Sequence, residues 1–350
     1  MSKGIIFALL AAALFGASTP FAKLLVGTVH PMILAGLLYA GSGMGLLIWQ
    51  IVRRIFSTGS RDNEAALTKK DMPWLAGAIV AGGIVAPVLL MLGLTHTPSS
   101  SASLLLNLEG VFTALLAWFV FKENFDRRIF LGMVFIILAG ALLSIQEAEA
   151  VSLPLGSMMV AAACLCWGID NNLTRKVSAS DPVQIACIKG LVAGSVNLSL
   201  GLMLGEAMPG IAAASSAAVV GLLGYGISLV MFVLALRHLG TARTGAYFSM
   251  APFVGATVSL LMLHETPDAL FWFAAALMGV GIWLHLTERH EHTHIHEKME
   301  HDHKHTHDEH HQHDHDFAWD GTEPHSHLHT HEPMTHSHAH YPDIHHRHRH

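Results

Sequence analysis

Charged residues are scarce in this chain. Asp, Glu, Lys and Arg make up 13% of its 350 residues, whereas hydrophobic residues make up 52%. Most of the charge lies after Glu288, so that the first 287 residues are more apolar still. A soluble domain needs a polar surface, and this part of the sequence does not supply one. The composition therefore excludes an ordinary soluble protein and indicates a membrane protein.

Cysteine and catalytic motifs are also nearly missing. Only Cys164, Cys166 and Cys187 occur, all inside apolar runs, which excludes a disulfide framework and favours a packing role. The sequence contains no HExxH motif, no glycine-rich phosphate loop and no recognisable nucleophile triad. We therefore predict that the protein is not an enzyme, requires no cofactor and binds no nucleic acid.

Long apolar runs recur along the first 287 residues. Each is about 20 residues long, enough to cross a hydrocarbon core of about 30 Å as a helix. The first run is too long for a secretion signal and is followed by more of the same. We predict an all-α integral membrane protein with ten spans, at 4–25, 31–52, 73–94, 100–121, 128–145, 156–177, 183–205, 216–236, 242–263 and 268–287.

The distribution of basic residues predicts the orientation of these spans. With the N-terminus inside, Lys23 is the only basic residue of the outer loops, and an even number of crossings returns the C-terminus to the cytoplasm. The inner loops hold Arg53, Arg54, Arg61, Lys69, Lys70, Lys122, Arg127, Arg128, Arg175, Lys176, Arg237 and Arg243. We expect a multi-pass protein of the inner (plasma) membrane with both termini cytoplasmic.

The chain also contains an internal repeat. The segment LFGASTPFAK (14–23) aligns with CWGIDNNLTR (166–175), and LGLTHTPSSS…FKE (92–123) aligns without a gap on LALRHLGTAR…LHE (234–265). Each half holds five predicted crossings, so the second half is inverted relative to the first, as in many secondary transporters. We predict units at 1–147 and 148–287, followed by a disordered tail at 288–350.

Each unit opens with an F-G or W-G pair, and its fourth helix ends in Glu before a glycine-rich fifth helix (LGMVFIILAGALL, FAAALMGVGIWL). This order of elements resembles the EamA-type drug/metabolite transporter superfamily over residues 4–287. The resemblance implies a ten-helix permease with a central cavity between its units, usually exporting metabolites. It implies the class and leaves the cargo open, among amino acids, sugars, nucleotide precursors and cations.

Glu109 is the most conspicuous polar residue of the predicted spans. It lies near the middle of the fourth span with no cation nearby in sequence, and the repeat places Ala251 at its equivalent position. Ionisable groups inside spans are costly and usually functional, and a carboxylate in a low dielectric can exchange a proton for a cation. A protonated Glu109 that only bonds a neighbouring helix is the alternative.

Asp170 and Lys189 lie at equal depth on adjacent spans, about 10 Å from their shared hairpin. A structural ion pair is the favoured interpretation. The alternative places Asp170, Asn171 and Cys166 on a cavity wall as cation ligands, since Asp170 aligns with Ser18. We count Glu109, Asp170, Lys189, Asn107 and Asn171 as candidate transport or coupling residues.

Residues at the ends of spans are the remaining candidates within the repeat. His96 and His238 are equivalent positions on opposite sides of the membrane, where they form a pair of gates or serve as structural residues. Lys23 and Arg175 are expected to extend to the interface, and Glu265, like Glu123, to anchor the turn that follows it.

The tail is rich in histidine. Residues 290–350 hold 23 of the 28 histidines, among acidic residues and almost no aliphatic ones, so no core can form. Dispersed His-x-His favours labile Ni, Co or Zn binding over a four-ligand zinc site. A polyelectrolyte indifferent to metal is the alternative. The predicted metal ligands are His301, His303, His305, His307, His310, His311, His313, His315, His325, His327, His329 and His331.

Three functions follow from these features. The first is an exporter of Ni, Co or Zn by proton exchange, with the tail as a cytoplasmic metal buffer or sensor. The second is an exporter of a small organic metabolite, of the amino acid or amine type, with a regulatory tail. The third is a membrane-anchored metal store. The sequence favours the metal exporter, with the lipid bilayer and the cargo as partners, and a homodimer is compatible with it.

Overall fold

The computed structural model describes residues 3–56, 67–121, 127–147, 154–178, 180–286, 291–296, 299–305, 325–331 and 334–339. Up to residue 286 the described chain is almost entirely helical. Two π-helical segments, π1 (Ile79–Val85) and π2 (Leu222–Ile227), continue α3 into α4 and α10 into α11. The α-helices are α1 (Lys3–Val26), α2 (Pro31–Phe56), α3 (Met72–Ala78), α4 (Ala86–His96), α5 (Ser99–Leu105), α6 (Leu108–Phe121), α7 (Arg127–Glu147), α8 (Leu155–Val177), α9 (Pro182–Met203), α10 (Ile211–Gly221), α11 (Ser228–Phe248), α12 (Ala251–Met262) and α13 (Ala269–Leu286).

Local sequence signals set the ends of these helices. The Asp181 carboxylate caps α9 by accepting from the amides of Val183 and Gln184, and Pro182 stands at the first helical position. The same helix ends at Gly205, whose φ of 86° is a conformation that glycine adopts without strain. Both boundaries of α9 are therefore those that capping chemistry predicts.

Six helical segments of the described chain are long and apolar enough to cross a bilayer: 3–26, 31–53, 72–96, 99–120, 182–203 and 211–235. The predicted ten spans are thus matched in part. The second half of α8 carries Asp170, Asn171 and Asn172, which make it too polar to qualify by composition. Shorter apolar helices cover 130–144, 251–262 and 269–284.

One predicted boundary is wrong. We expected a loop between spans ending at 236 and starting at 242, but α11 continues as helix to Phe248, and the chain turns at 249–250. The gapless alignment explains the new position. Residues 249–250 align with 107–108, and the first half likewise turns at 106–107, between α5 and α6.

In the π1 segment, two backbone carbonyls accept hydrogen bonds from side chains of other helices. Pro87 has no amide hydrogen, so the carbonyl of Gly83 lacks its usual helical donor. The side chain of Asn197, on α9, donates to that carbonyl at 3.2 Å. The Gly82 carbonyl accepts from Tyr39 Oη at 2.6 Å and from Trp167 Nε1 at 3.0 Å. Three side chains from other helices thus satisfy the backbone of this segment.

The internal repeat is visible in the packing. The helix α1 packs on α11 and α12, while its equivalent α8 packs on α4 and α6; α2 packs on α9, and α7 on α13. The π segments also coincide within a residue when the gapless alignment, which carries Leu92 onto Leu234, is extended toward the N-terminus of each half. Equivalent elements therefore make equivalent contacts in the two halves.

Small residues allow the helices to approach closely. At the crossing of α2 and α9, neither Gly43 nor Gly190 has space for a Cβ atom, because each would meet the backbone of the other helix. The outside of the bundle instead exposes large apolar side chains, including Trp49, Phe119 and Leu261. Such a surface requires lipid, which together with the apolar helices makes this a multi-pass membrane protein.

The tail departs from the predicted disorder in four segments. Strand β1 (Glu291–His296) pairs antiparallel with β4 (Met334–Ala339), and β2 (Met299–His305) with β3 (His325–His331). The two ladders have the same register. His296 pairs with Met334, and three positions further along each strand Met299 pairs with His331. Backbone pairing needs no apolar core, which the prediction of disorder did not take into account.

Candidate functional site

Glu109 lies at the start of α6, directly after the turn that separates α5 from α6. Its Oε1 accepts a hydrogen bond of 2.7 Å from Nδ2 of Asn171, on α8. The same amide group lies 3.3 Å from the hydroxyl of Thr113, one turn further along α6. Among the described residues no cationic group lies within 4.0 Å of the Glu109 carboxylate. The acid is thus held by a neutral donor and keeps capacity for a proton or a cation.

Asp170 and Lys189 form an ion pair in the interior. Nζ of Lys189 contacts Oδ2 of Asp170, and each side chain is only 5% exposed. The hydroxyl of Thr174 donates to Oδ1 at 2.8 Å. The carboxylate rests against Gly82, where a Cβ atom would collide with it. The pair therefore links α8 and α9 to the π1 segment of the other half.

The two acidic sites belong to one electrostatic group. Asp170 and Asn171 are neighbours on α8, and the first contacts Lys189 while the second donates to Glu109. With Glu109 protonated the group is neutral, and with Glu109 ionised it carries one negative charge. One proton thus changes the net charge of a buried site, which is the condition for coupling proton and solute binding.

Aromatic side chains surround this group. Phe15 lies edge-on to Trp167 with ring centroids 6.0 Å apart and to Tyr225 at 5.9 Å, and Tyr225 lies 5.2 Å from Tyr39. Trp167, Tyr225 and Tyr39 are at most 7% exposed. The Tyr225 hydroxyl has no well-formed hydrogen bond within the described chain, although Ser18 lies nearby. The centre of the bundle is therefore closed, with a polar group left unpaired.

Some predicted site residues lie away from the centre. The amide of Asn107 donates to the Leu104 carbonyl at 3.2 Å and lies 3.7 Å from the sulfur of Met278, so it faces α13 and not Glu109. His96 ends α4 and is exposed, and the ring of His238, also exposed, stacks on Phe7 at 5.9 Å. Because His96 lies near the end of α1 that carries Lys23 and His238 near its start, the histidines occupy opposite ends of the bundle.

The structure does not bring the predicted cation ligands Asp170 and Asn171 together at one site. Asp170 faces Lys189 while Asn171 faces Glu109, and the described residues include no group of three or more His, Cys, Asp or Glu that could hold a metal ion. In the tail, His301, His303 and His305 lie on β2, and His325, His327, His329 and His331 lie on β3. His307, His310, His311, His313 and His315 lie outside the described residues.

A cleft of about 200 Å³ lies elsewhere, between α5, α12 and α13. Its lining includes Leu104, Phe253, Thr257 and Phe271 and contains no charged side chain. This cleft is therefore a poor site for a charged solute, and the buried polar group remains the better candidate.

Sequence reasoning missed the aromatic residues and the roles of Lys23 and Glu265. Phe15 and Trp167 were available as the aromatic members of the F-G and W-G pairs, which the repeat places at equivalent positions. Lys23, which we expected to extend to the interface, donates from its Nζ to the carbonyls of Leu94 and Thr97, at the end of α4. Glu265 caps the first residues of α5 and does not anchor its own turn.

Comparisons with known proteins agree with this architecture. The EamA-like transporter family matches residues 2–145 and again 154–287. An uncharacterized transporter of Methanothermobacter thermautotrophicus is 27% identical over 299 residues, which cover 80% of this chain and 85% of that protein.

A second relative has a more specific name. A probable terminal-alkyne amino-acid exporter of Streptantibioticus cattleyicolor is 28% identical over 228 residues, 61% of this chain and 73% of that protein. One solved crystal structure, at 16% identity, matches with a TM-score of 0.59 over 82% of this chain and 99% of that one. The likeness to that structure concerns the fold alone.

Proposed function

The chain belongs to the EamA-like transporter family, and from that premise we propose that it exports a small zwitterionic solute of the amino acid type in exchange for protons. The observation that carries the proposal is the buried group of Glu109, Asp170 and Lys189 at the meeting point of the two halves. No described part of the chain offers another group of buried charges of both signs.

The chemistry of this group fits a zwitterion. An amino acid carries an ammonium and a carboxylate, which can exchange partners with Asp170 and Lys189 so that no charge is left buried and unpaired. A solute with a single charge would leave one member of the pair without a partner. Glu109 binds the proton when the solute leaves and gives it up when the ammonium arrives, which couples the two movements.

The relatives support the same cargo class. The name of the Streptantibioticus protein states the export of an amino acid, and the match to it covers 61% of this chain. Asn171 adds a polar donor beside Glu109, and the rings of Phe15, Trp167 and Tyr225 offer aromatic faces to an ammonium group.

We propose the membrane arrangement that the sequence predicts. Ten crossings in two inverted units, at 1–147 and 148–287, put both termini in the cytoplasm of a cell with this protein in its inner membrane. The basic residues of the predicted inner loops, the aligned π segments and the exchanged packing of α1 and α8 support this arrangement.

A second candidate cargo is a divalent metal such as Ni, Co or Zn, and the tail favours it. In the paired strands, histidine stands opposite histidine at five register positions: 292 and 338, 294 and 336, 301 and 329, 303 and 327, and 305 and 325. Opposite positions of an antiparallel ladder are neighbours. We assign the tail the role of a cytoplasmic metal buffer or sensor, which is compatible with either cargo.

Transport into everted membrane vesicles separates the candidates. With a proton gradient imposed, vesicles containing the protein should accumulate a radiolabelled amino acid from a mixed panel, and Glu109→Gln should reduce accumulation to the level of empty vesicles. The matched control is Glu206→Gln, which alters a partly exposed acid 3.4 Å from His30. Accumulation of radioactive Ni, Co or Zn in place of every amino acid and amine tested would overturn the amino acid proposal in favour of the metal exporter.

A further inference from the structure

Two charged residues, Lys23 and Glu265, hold the connection between α4 and α5, and neither has an assigned function. The helix α4 ends at His96, and α5 begins at Ser99 after Pro98. Helix ends leave carbonyl groups on one side and amide groups on the other without helical partners. Inside a membrane bundle these groups must find partners in other helices.

Lys23 binds the free carbonyl groups at the end of α4, where the helix breaks before α5. It lies near the end of α1, is partly buried, and its Nζ donates to the carbonyls of Leu94 and Thr97, the second at 2.8 Å. A cation at the C-terminal end of a helix is favoured by the helix dipole and forms charge-assisted hydrogen bonds. Lys23 thus attaches α1 to the end of α4.

Glu265, in the other half of the chain, binds the free amide groups at the start of α5. Its Oε1 accepts from the amide of Ser99 at 2.9 Å and its Oε2 from the amide of Ser100 at 3.0 Å. The hydroxyls of Ser259 and Ser99 are 2.8 Å apart, which adds a second link between α12 and α5. Ser99 and Ser100 are both buried. The Glu265 carboxylate therefore attaches the start of α5 to the second half of the chain.

The opposite end of the molecule differs. The alignment carries Lys23 onto Arg175, Glu265 onto Glu123, and residues 94–100 onto 236–242. At 236–242 the backbone is not broken but continues as α11, and Glu123 lies outside the described residues. A symmetric scaffold thus has a clamped break at one end and a continuous helix at the other. Inverted repeats that alternate access exchange such conformations between their halves.

We propose that Lys23 and Glu265 form the outer gate of the transport path, holding the α4–α5 connection closed and releasing it when the path opens outward. The proposal rests on the transporter class of the family and on the predicted orientation, and it is independent of the cargo. Both are positioning residues, since neither reaches the buried group of Glu109, Asp170 and Lys189.

Accessibility of a cysteine beneath the gate tests this. Ser101→Cys puts a thiol one residue beyond the two clamped amides, at a position that is 7% exposed. The reagent is a membrane-impermeant maleimide added to intact cells, and the parent protein with its three native cysteines gives the background. Labelling needs no cargo, so its failure is separate from a failure of the amino acid proposal.

Each half of the clamp can be removed separately. Lys23→Met keeps the length of the side chain without its donors, and Glu265→Gln replaces one acceptor oxygen with a donor. Glu265→Gln loses one charge-assisted hydrogen bond and Lys23→Met loses two. Loss of one such bond should shift the closed–open equilibrium, and with it the labelling rate of Ser101→Cys, by about tenfold, and Lys23→Met should raise that rate at least as much. Lys23→Arg, which keeps the donors, should return the rate toward that of the parent clamp.

The controls make the test decisive. Glu206→Gln, in the same predicted outer region, should leave labelling unchanged. If either clamp variant is monodisperse in detergent and still labels at the parent rate, the gate assignment is wrong. An increase seen only when the reagent enters from the cytoplasmic side would equally overturn it. If Lys23→Met fails to fold, Glu265→Gln decides alone.

Discussion

Asp170 and Lys189 allow stability and transport to be separated in a double-mutant cycle. Each side chain is only 5% exposed, so solvent does not screen the pair. Lys189→Met leaves the Asp170 carboxylate buried with the Thr174 hydroxyl as its one remaining described donor. Removing one partner of a buried ion pair costs about 3–5 kcal/mol, because the remaining charge has no partner. Asp170→Asn should cost a similar amount by stranding the ammonium of Lys189.

The double variant Asp170→Asn, Lys189→Met should regain most of this loss. Neutral residues of similar volume often replace a buried pair at little cost, so we expect a stability within about 1 kcal/mol of the parent. The single variants, at about 3–5 kcal/mol each, should lower the melting temperature by roughly 6–20 °C, at about 2–4 °C per kcal/mol for a chain of moderate size. A thiol-reactive dye follows unfolding in detergent, since Cys164 and Cys187 are buried.

Transport by the stable double variant decides the role of the pair. If the pair binds the zwitterion, the double variant folds well but does not accumulate amino acids in everted vesicles. Normal transport by this variant would reduce the pair to a structural contact and remove the main support for the proposed function. Single variants as stable as the parent would refute the burial energetics themselves.

Three further outcomes test other parts of the molecule. Gly82→Ala should destabilise the protein by about 1–3 kcal/mol, because a Cβ there collides with the Asp170 carboxylate, whereas Gly110→Ala, with open space around it, should be neutral or slightly stabilising in the same melting assay. Trp167→Phe should cost about 1 kcal/mol by removing the donor to the Gly82 carbonyl. Deleting residues 290–350 should abolish most Ni and Zn binding, measured by equilibrium dialysis of the purified protein, and leave the maximal transport rate unchanged; a loss of transport would make the tail part of the path.

The sequence was most informative about features that act locally. Apolar run length predicted where the described helices lie as far as 203, and Asp181, Pro182 and Gly205 set the ends of α9 through capping. The π segments lie outside the aligned ranges, and they coincide within a residue when the alignment of Leu92 on Leu234 is extended toward the N-terminus. Apolar patterning failed at α11 because the polar stretch RHLGTARTG lies inside this helix and was taken for the loop between two spans, whereas the chain turns at 249–250.

Partners across the bundle could not be predicted in the same way. The equal depth of Asp170 and Lys189 indicated their pairing, but nothing near Glu109 in sequence points to Asn171, 62 positions away. Glu265 is 166 positions from Ser99, and its role depends on a helix end in the other half of the chain. Long-range capping is a property of the folded arrangement, and local patterns do not carry it.

The candidate chemistry is asymmetric although the scaffold is symmetric, and this difference explains where the polar group sits. At the α1–α12 contact, Gly16 packs so tightly on the carbonyl of Ala251 that no Cβ fits. At the equivalent α8–α6 contact, Gly168 packs on Phe112 and Thr113, and the position equivalent to Ala251 is Glu109.

The residues on α1 and α8 that face these positions differ between the halves in the same way. Asp170 and Asn171 occupy the places of Ser18 and Thr19, so that three chemically demanding residues lie along one of two equivalent interfaces while the other remains a close helix contact. A proton-coupled site needs one set of charges that both access states share. Two symmetric sets would bury twice the charge, and each ionisable group within the bilayer adds a cost of about 2.5–3.5 kcal/mol on insertion scales. Under the proposed function, the repeat is the source of the two conformations, and its one altered interface is the source of the binding chemistry.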